Sequence, residues 1–325
     1  MKKLVLVASC VISLATVACS SDNVIDNGDS RQTNSIDFNS AITRGSRSLD
    51  ATSDLTTMYV YGTQDNTSAI FDAQAVTKGT ENWEYTYNKS GDKPKWTAGS
   101  LYKFYAYSYE NGSTSSAKYS AGGVLTFDGF TTKAGDGTGD LIYASSDQII
   151  GLQTGNSRVA FTFKHILSQV SLVLLNNTLN AQEIPYNVTI SNIKLSGYGT
   201  TATFDGTDWG TTTNPANNVS VNNEGKAFPY EDHETASSLF VIPQKDKTVT
   251  LTLTAEIKNA NNANDVTKYT YSATFTPNWE QGKKYQCTIP VTLNTGEESI
   301  EFTVTSLNGW SDTYGGYINL TKTKI

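Results

Sequence analysis

The stretch TVTLTLTAEI, residues 248–257, decides the fold class. Val249, Leu251, Leu253, Ala255 and Ile257 fall on one parity, and Thr250, Thr252, Thr254 and Glu256 on the other. Successive side chains of an extended chain point to opposite faces, so this spacing predicts a strand with one apolar and one solvated face, the usual condition of antiparallel sheets. KYTYSATFT (268–276) repeats the pattern with Tyr269, Tyr271, Ala273 and Phe275, and IEFTVTS (300–306) with Ile300, Phe302 and Val304 against Glu301 and Thr303. Clusters such as AGDGTGD (134–140), FDGTDWG (204–210) and NANNAND (259–265) supply turn residues between the alternating runs. No long amphipathic helix is legible. Short strands separated by turns predict an all-β chain built as antiparallel β-sandwiches.

One internal repeat bears on organisation. PKWTAGSLYKF (94–104) and PNWEQGKKYQC (277–287) both read P-x-W-x-x-G-x-x-Y and both run into an alternating strand. Proline starts a turn, tryptophan plugs one end of a sandwich, glycine permits the bend and tyrosine begins a core strand. Two copies predict two related sandwich domains, 36–160 and 161–325. The 325 residues, 38% hydrophobic, hold enough apolar material for such cores. Charged residues are 17% and the net charge is −7, so no basic face is available to neutralise phosphates and no nucleic-acid partner is expected.

Lys2 and Lys3 precede the apolar run LVLVASCVISLATVA (4–18), which has the form of a signal peptide and is too short for a permanent span. The following TVACSSDN resembles a bacterial lipobox, with Ala18 before Cys19 and Thr16 where leucine is usual. VASC, ending at Cys10, fits locally as well but leaves an apolar run of only Leu4 to Ser9, so Cys19 is preferred as the lipidated residue. Residues 1–18 are then signal peptide, and the polar, acidic 19–35 a disordered tether to the outer membrane. The tether resembles the acidic export signal of Bacteroidetes surface lipoproteins. Cys287 is left alone, and no intramolecular disulfide is available.

Ahead of almost everything that reads as folded lies SIDFNSAITRGSRSLDATSD (35–54). Ile36, Phe38 and Ile42 share one parity with Ser40 between them, so a strand with one apolar face runs up to Arg44. Three of the chain's four arginines, Arg31, Arg44 and Arg47, fall between residues 31 and 47, around this strand. RGSRSLDATSD is polar and reads as a flexible loop. At the other end, Gly315 and Gly316 form a hinge before YINLTKTKI (317–325), where Ile318 and Leu320 share a parity that continues with Lys322 and Lys324.

No catalytic constellation appears, and neither enzymatic activity, cofactor nor metal is expected. His165 reads as a packed, hydrogen-bonded histidine and Cys287 as a core residue rather than a dyad. Asp128, Asp136 and Asp140 match no calcium-loop spacing and read as turn residues. The tyrosine-rich LYKFYAYSYE (101–110) has aromatics on both parities, which predicts a strand buried on one face and covered on the other, not an exposed sugar platform.

Four stretches together resemble the fimbrillin family of Bacteroidetes pili: FTFKHILSQVSLVLL (161–175), LFVIPQ (239–244), WEQGKKYQCTIPVTL (279–293) and IEFTVTSLNGW (300–310). The resemblance implies two tandem transthyretin-like sandwiches, export as a lipoprotein and polymerisation into a surface pilus that supports adhesion. It also implies an Arg-specific maturation protease. That protease would cut after Arg44 or Arg47 and release the lipidated end with the strand carrying Ile36, Phe38 and Ile42. The vacated groove would accept a donor strand from the C-terminal region of another pilin, here Ile318 and Leu320. This tail is shorter than stalk subunits carry, so tip and anchor roles stay open. The other class of function on the same scaffold is a surface lipoprotein adhesin, or glycan- or protein-binding module, that never polymerises.

Overall fold

The computed structural model describes residues 34–42, 55–80, 82–110, 112–133, 135–176, 178, 186–291, 298–303 and 317–324; for 41, 42, 298–303 and 317–324 the description covers backbone pairing alone. The described residues form strands and turns and contain no helix. The first ten strands are β1 (Phe38–Ile42), β2 (Thr57–Gln64), β3 (Ser68–Lys78), β4 (Trp83–Glu84), β5 (Leu101–Tyr109), β6 (Ala117–Lys118), β7 (Thr126–Thr131), β8 (Leu141–Ser145), β9 (Ile149–Ile150) and β10 (Val159–His165). There follow β11 (Ser168–Asn176), β12 (Tyr186–Ser196), β13 (Gly199–Phe204), β14 (Thr213–Pro215), β15 (Val219–Ser220), β16 (Ala227–Phe228) and β17 (His233–Thr235). The last six are β18 (Leu239–Val241), β19 (Val249–Asn259), β20 (Val266–Phe275), β21 (Lys284–Val291), β22 (Glu298–Thr303) and β23 (Tyr317–Lys324).

Three sheets result. The first runs β1-β10-β8-β5-β2-β3-β4 with β9 beside β5; the second runs β15-β12-β19-β20-β23-β22-β21-β11-β17 with β16 beside β12 and β18 beside β11; the third is β14-β13-β7-β6. Pairing is antiparallel except for β1 with β10 and β11 with β21. The alternation read in residues 248–257 holds: Val249, Leu251, Leu253, Ala255 and Ile257 are all buried on β19, while the threonines between them are half-exposed.

Apolar side chains gather in three clusters. One draws on residues between Ile36 and Phe163, and a second on residues between Val170 and Val291. A third mixes the two regions, with Tyr105, Tyr107, Phe127 and Tyr143 against Ile166, Phe204, Phe240 and Ile242. The third sheet does the same, because β7 pairs with β13. Strand β5 lies between two clusters: Tyr102, Phe104 and Ala106 face the first, Tyr105 and Tyr107 the third. Both parities are therefore buried, which accounts for the aromatic run. The division expected after residue 160 falls inside β10. That strand continues through Phe161 and Phe163, fully buried in the first cluster, and ends at His165, because the alternation F-x-F-x-H extends it until Ile166 and Leu167 break the period.

The P-x-W-x-x-G-x-x-Y repeat has the same local structure twice. Trp96 and Trp279 are buried, and Gly99 and Gly282 take positive φ of 81° and 67°, where glycine has no steric penalty. The N–H of Thr97 donates to the Tyr102 hydroxyl and that of Glu280 to the Tyr285 hydroxyl, each at 2.8 Å. Burial pushes the Tyr285 phenol up to about 12 despite the Glu280 N–H bond, and burial pushes Tyr198 to about 12 as well. An unfolded tyrosine ionises near 10. The raised native values therefore add stability that is fully present below pH ~10 and is lost as pH rises through ~12. The urea midpoint is expected to hold from pH 8 to 9.5 and to fall between 10 and 12; a flat midpoint through pH 12 would contradict this.

Candidate functional site

The feature that sets the first sheet apart is its terminal strand. β1 lies at the end of the sheet and pairs in parallel with β10, Phe38 opposite Val159 through Ile42 opposite Phe163. Just before it the chain makes an antiparallel bridge, Ser35 with Lys95, in which Ile36 N–H donates to Pro94 O and Trp96 N–H to Asn34 O, both at 2.9 Å. The Val159 N–H donates to Asp37 O at 2.8 Å. Residues 34–42 are thus held on two sides by backbone bonds, one set from the first Trp turn and one from β10.

The inward parity of this segment fills the first cluster. Ile36 is 0% and Phe38 1% exposed. The Phe38 ring sits 5.1 Å from Phe71, 5.7 Å from Tyr85, 5.9 Å from Phe104 and 5.9 Å from Phe161. Tyr85 closes the pocket and donates its hydroxyl to Ile36 O at 2.6 Å. Burial, followed by the nearby Asp37 carboxylate, pushes the Tyr85 phenol well up, so it remains a donor. Asp37 points the other way and pairs with Lys93 at 3.4 Å, whose ammonium also lies 4.2 Å from the Tyr85 ring centre. Gly62 makes the pocket possible from below: a Cβ there would stand 2.5 Å from the Phe104 ring.

Ser40 is the flaw in the fit. It shares the inward parity, is buried, and its Oγ has no hydrogen-bond partner. An unpaired buried hydroxyl costs about 1–3 kcal/mol. Ser40→Val is therefore expected to raise the stability of the intact chain by about 1 kcal/mol or more, read from urea denaturation; a loss of stability would mean that the site cannot take the extra methyl.

The other residues singled out from sequence are placed as follows. Cys19, Arg44 and Arg47 lie outside the described residues. Ile42 is in β1, and its side chain is not described. Ile318 and Leu320 are on β23, paired within the same chain with Ile300 and Glu298 of β22. His165 is buried 2.8 Å from the Asp140 carboxylate. Cys287 is buried in the second cluster, and burial pushes its thiol far up, which removes it as a nucleophile at neutral pH. Among the described residues Asp128, Asp136 and Asp140 do not converge; they bond Thr203, Thr138 and His165 separately. Sequence reading missed Tyr85 and Lys93 as the contacts that hold the first segment, although the alternation of Trp83, Tyr85 and Tyr87 in WEYTY was a usable signal.

A family model described as fimbrillin-like matches residues 43–306. The chain belongs to the fimbrillin-like family. Two solved structures resemble this fimbrillin-like chain in fold. A fimbrial protein from Bacteroides vulgatus ATCC 8482 is 15% identical with a TM-score of 0.58, over 84% of this chain and 99% of that one. A cell-adhesion candidate from Bacteroides ovatus ATCC 8483 is 16% identical with a TM-score of 0.52, over 87% of this chain and 100% of that one. Comparison with curated proteins finds no match.

Proposed function

We propose that this fimbrillin-like chain is a subunit of a cell-surface pilus, exported to the outer membrane as a lipoprotein on Cys19. An Arg-specific protease cuts after Arg44 or Arg47, the released β1 leaves its groove, and a strand from another subunit replaces it. The observation that carries this reading is the placement of β1: an edge strand that plugs the first core with Phe38, joined by Ile36 just ahead of it. Taking it away leaves an unpaired β10 edge beside an aromatic slot, which is a template for strand addition. The fimbrial neighbour of similar fold supports the reading.

The energetics favour a switch operated by the cut. Two fully buried side chains contribute roughly 1.5–3 kcal/mol each, so on the order of 3–6 kcal/mol holds β1 before ladder bonds and ordering costs. That corresponds to dissociation constants from the mM range to tens of µM. A short tether supplies an effective concentration on the order of mM, enough to keep β1 seated; once cut, the strand dilutes and leaves.

A second reading keeps β1 in place permanently, as in a pilus anchor or a monomeric surface adhesin. The pairing of β23 inside its own sheet favours it, because that C-terminal strand is already satisfied. Intact mass and N-terminal sequencing of the protein from surface fractions separate the two. A start at Gly45 or Ser48 is expected; a lipidated start at Cys19 in assembled material would overturn the cut.

A further inference from the structure

The four residues that lead into β1 recur in pattern near the other end of the chain. Ser35-Ile36-Asp37-Phe38 at the start returns as Ser299-Ile300-Glu301-Phe302 in β22, followed by Asn39-Ser40 in one case and Thr303-Val304 in the other. Resting on the strand-exchange reading above, we propose that β22, and not β23, is the segment that a second copy of this chain inserts into the groove of β1.

The groove specifies what it accepts. It holds an aliphatic side chain at Ile36, an aromatic one among four rings at Phe38, a carboxylate near Lys93 at Asp37, and a buried position without a polar partner at Ser40. Laying β22 in the same register puts Ile300 in the first place, Phe302 in the second and Glu301 opposite Lys93. Val304 then takes the place of Ser40, so the unpaired hydroxyl is replaced by an apolar group. At the far end Ser306 replaces Ile42, a smaller side chain at the last position of the ladder.

β23 meets these demands in neither register that seats Ile318 in the groove. With Ile318 in the Ile36 place, Leu320 enters the Phe38 pocket but Lys322 falls at buried Ser40, where nothing pairs with an ammonium. With Ile318 in the Phe38 place, Gly316 leaves the Ile36 site empty and Lys322 falls at Ile42.

The placement of β22 permits its release. It pairs with β21 at three positions, Thr303 with Gln286, Phe302 with Cys287 and Glu301 with Thr288, and with β23 at four, from Glu298 with Leu320 to Glu301 with Tyr317. Along the sheet, β22 and β23 lie between β20 and β21. Without the pair, β15-β12-β19-β20 and β21-β11-β17 each keep their own ladders. Moved as a hairpin with β23, β22 gives up its three positions on β21, and β23 its four on β20, against the five that the groove offers from Val159 to Phe163.

Disulfide trapping in the full mature chain, cut with an Arg-specific protease, tests the register. Asn39 stands opposite Ala160, which is exposed, so the proposal places Thr303 of one copy beside Ala160 of another. Copies carrying Ala160→Cys are mixed with copies carrying Thr303→Cys, Asn319→Cys or Thr321→Cys; the last two sit opposite Ala160 in the two β23 registers. An uncut Asn39→Cys, Ala160→Cys chain is the geometric control. Linked pairs with Thr303→Cys and not with the other two are expected, and Phe302→Ala in the donor should cut the linked fraction at least tenfold while Leu320→Ala leaves it unchanged. Linkage through Asn319→Cys or Thr321→Cys would overturn the choice of β22 and leave strand exchange standing. So would assembly without any link. No assembly and no link in the cut chain would remove the strand-exchange reading itself.

Discussion

Phe38→Ala is expected to loosen the first strand by about 3–5 kcal/mol, the usual cost of emptying a fully buried phenylalanine site. Three observations place the effect at the upper part of that range. The ring is 1% exposed, it touches four other rings, and the pocket floor is fixed by Phe104 lying over Gly62. One observation limits it. β1 is an edge strand tied to the sheet on one side by β10, so once its docking energy is gone it detaches and nothing more is lost. The loss should therefore be local. Amide exchange is expected to speed up by about a hundredfold or more in residues 38–42 and along β10, and to stay unchanged in β19, which belongs to the second cluster. Unchanged exchange in β1, or equal acceleration in β19, would show that Phe38 does not hold this strand separately from the rest.

The same physics explains which parts of the molecule were legible in the sequence. β19 and β20 were, because a strand buried on one face writes its burial as a period of two. Ile36 and Phe38 were, for the same reason. Strand β5 was legible from the opposite signal: aromatics on both parities mean two buried faces, and the structure supplies a cluster on each. The third sheet was not. Two of its members are short, β6 spanning Ala117–Lys118 and β14 Thr213–Pro215, too few residues to show any period, and the pairing that joins its halves, β7 with β13, links strands far apart in the chain. The parallel pairing of β1 with β10 was hidden too, since nothing local to either strand encodes the direction of its neighbour. For the candidate site this means that the side chains of the plug could be read, while its socket could not. Tyr85, Lys93, Phe71 and Phe104 come together only through the sheet, and the missing partner of Ser40 is a property of what surrounds it.

Replacing both Arg44 and Arg47 with glutamine is expected to abolish assembly while leaving the fold intact. Residues 43–56 join β1 to β2, and the two arginines are the basic residues within that segment. A glutamine pair removes the specificity element of an Arg-specific protease without adding apolar surface, so the monomer should unfold at an unchanged urea midpoint. With the segment uncut, β1 remains at an effective concentration on the order of mM and outcompetes a donor strand from another copy present at µM, a disadvantage of about a thousandfold for the incoming strand. Heat-labile ladders of surface fractions on unboiled gels should therefore vanish in the double variant. Each single variant should keep them if either arginine suffices for cutting. A new site for an unrelated protease, placed in the same segment of the double variant and cut deliberately, should bring the ladders back. That rescue separates a defect in cutting from a defect in folding or export, which no cut could repair. Ladders that persist in the uncut double variant would mean that β1 never guards the groove, and the arginines would then be ordinary loop charges.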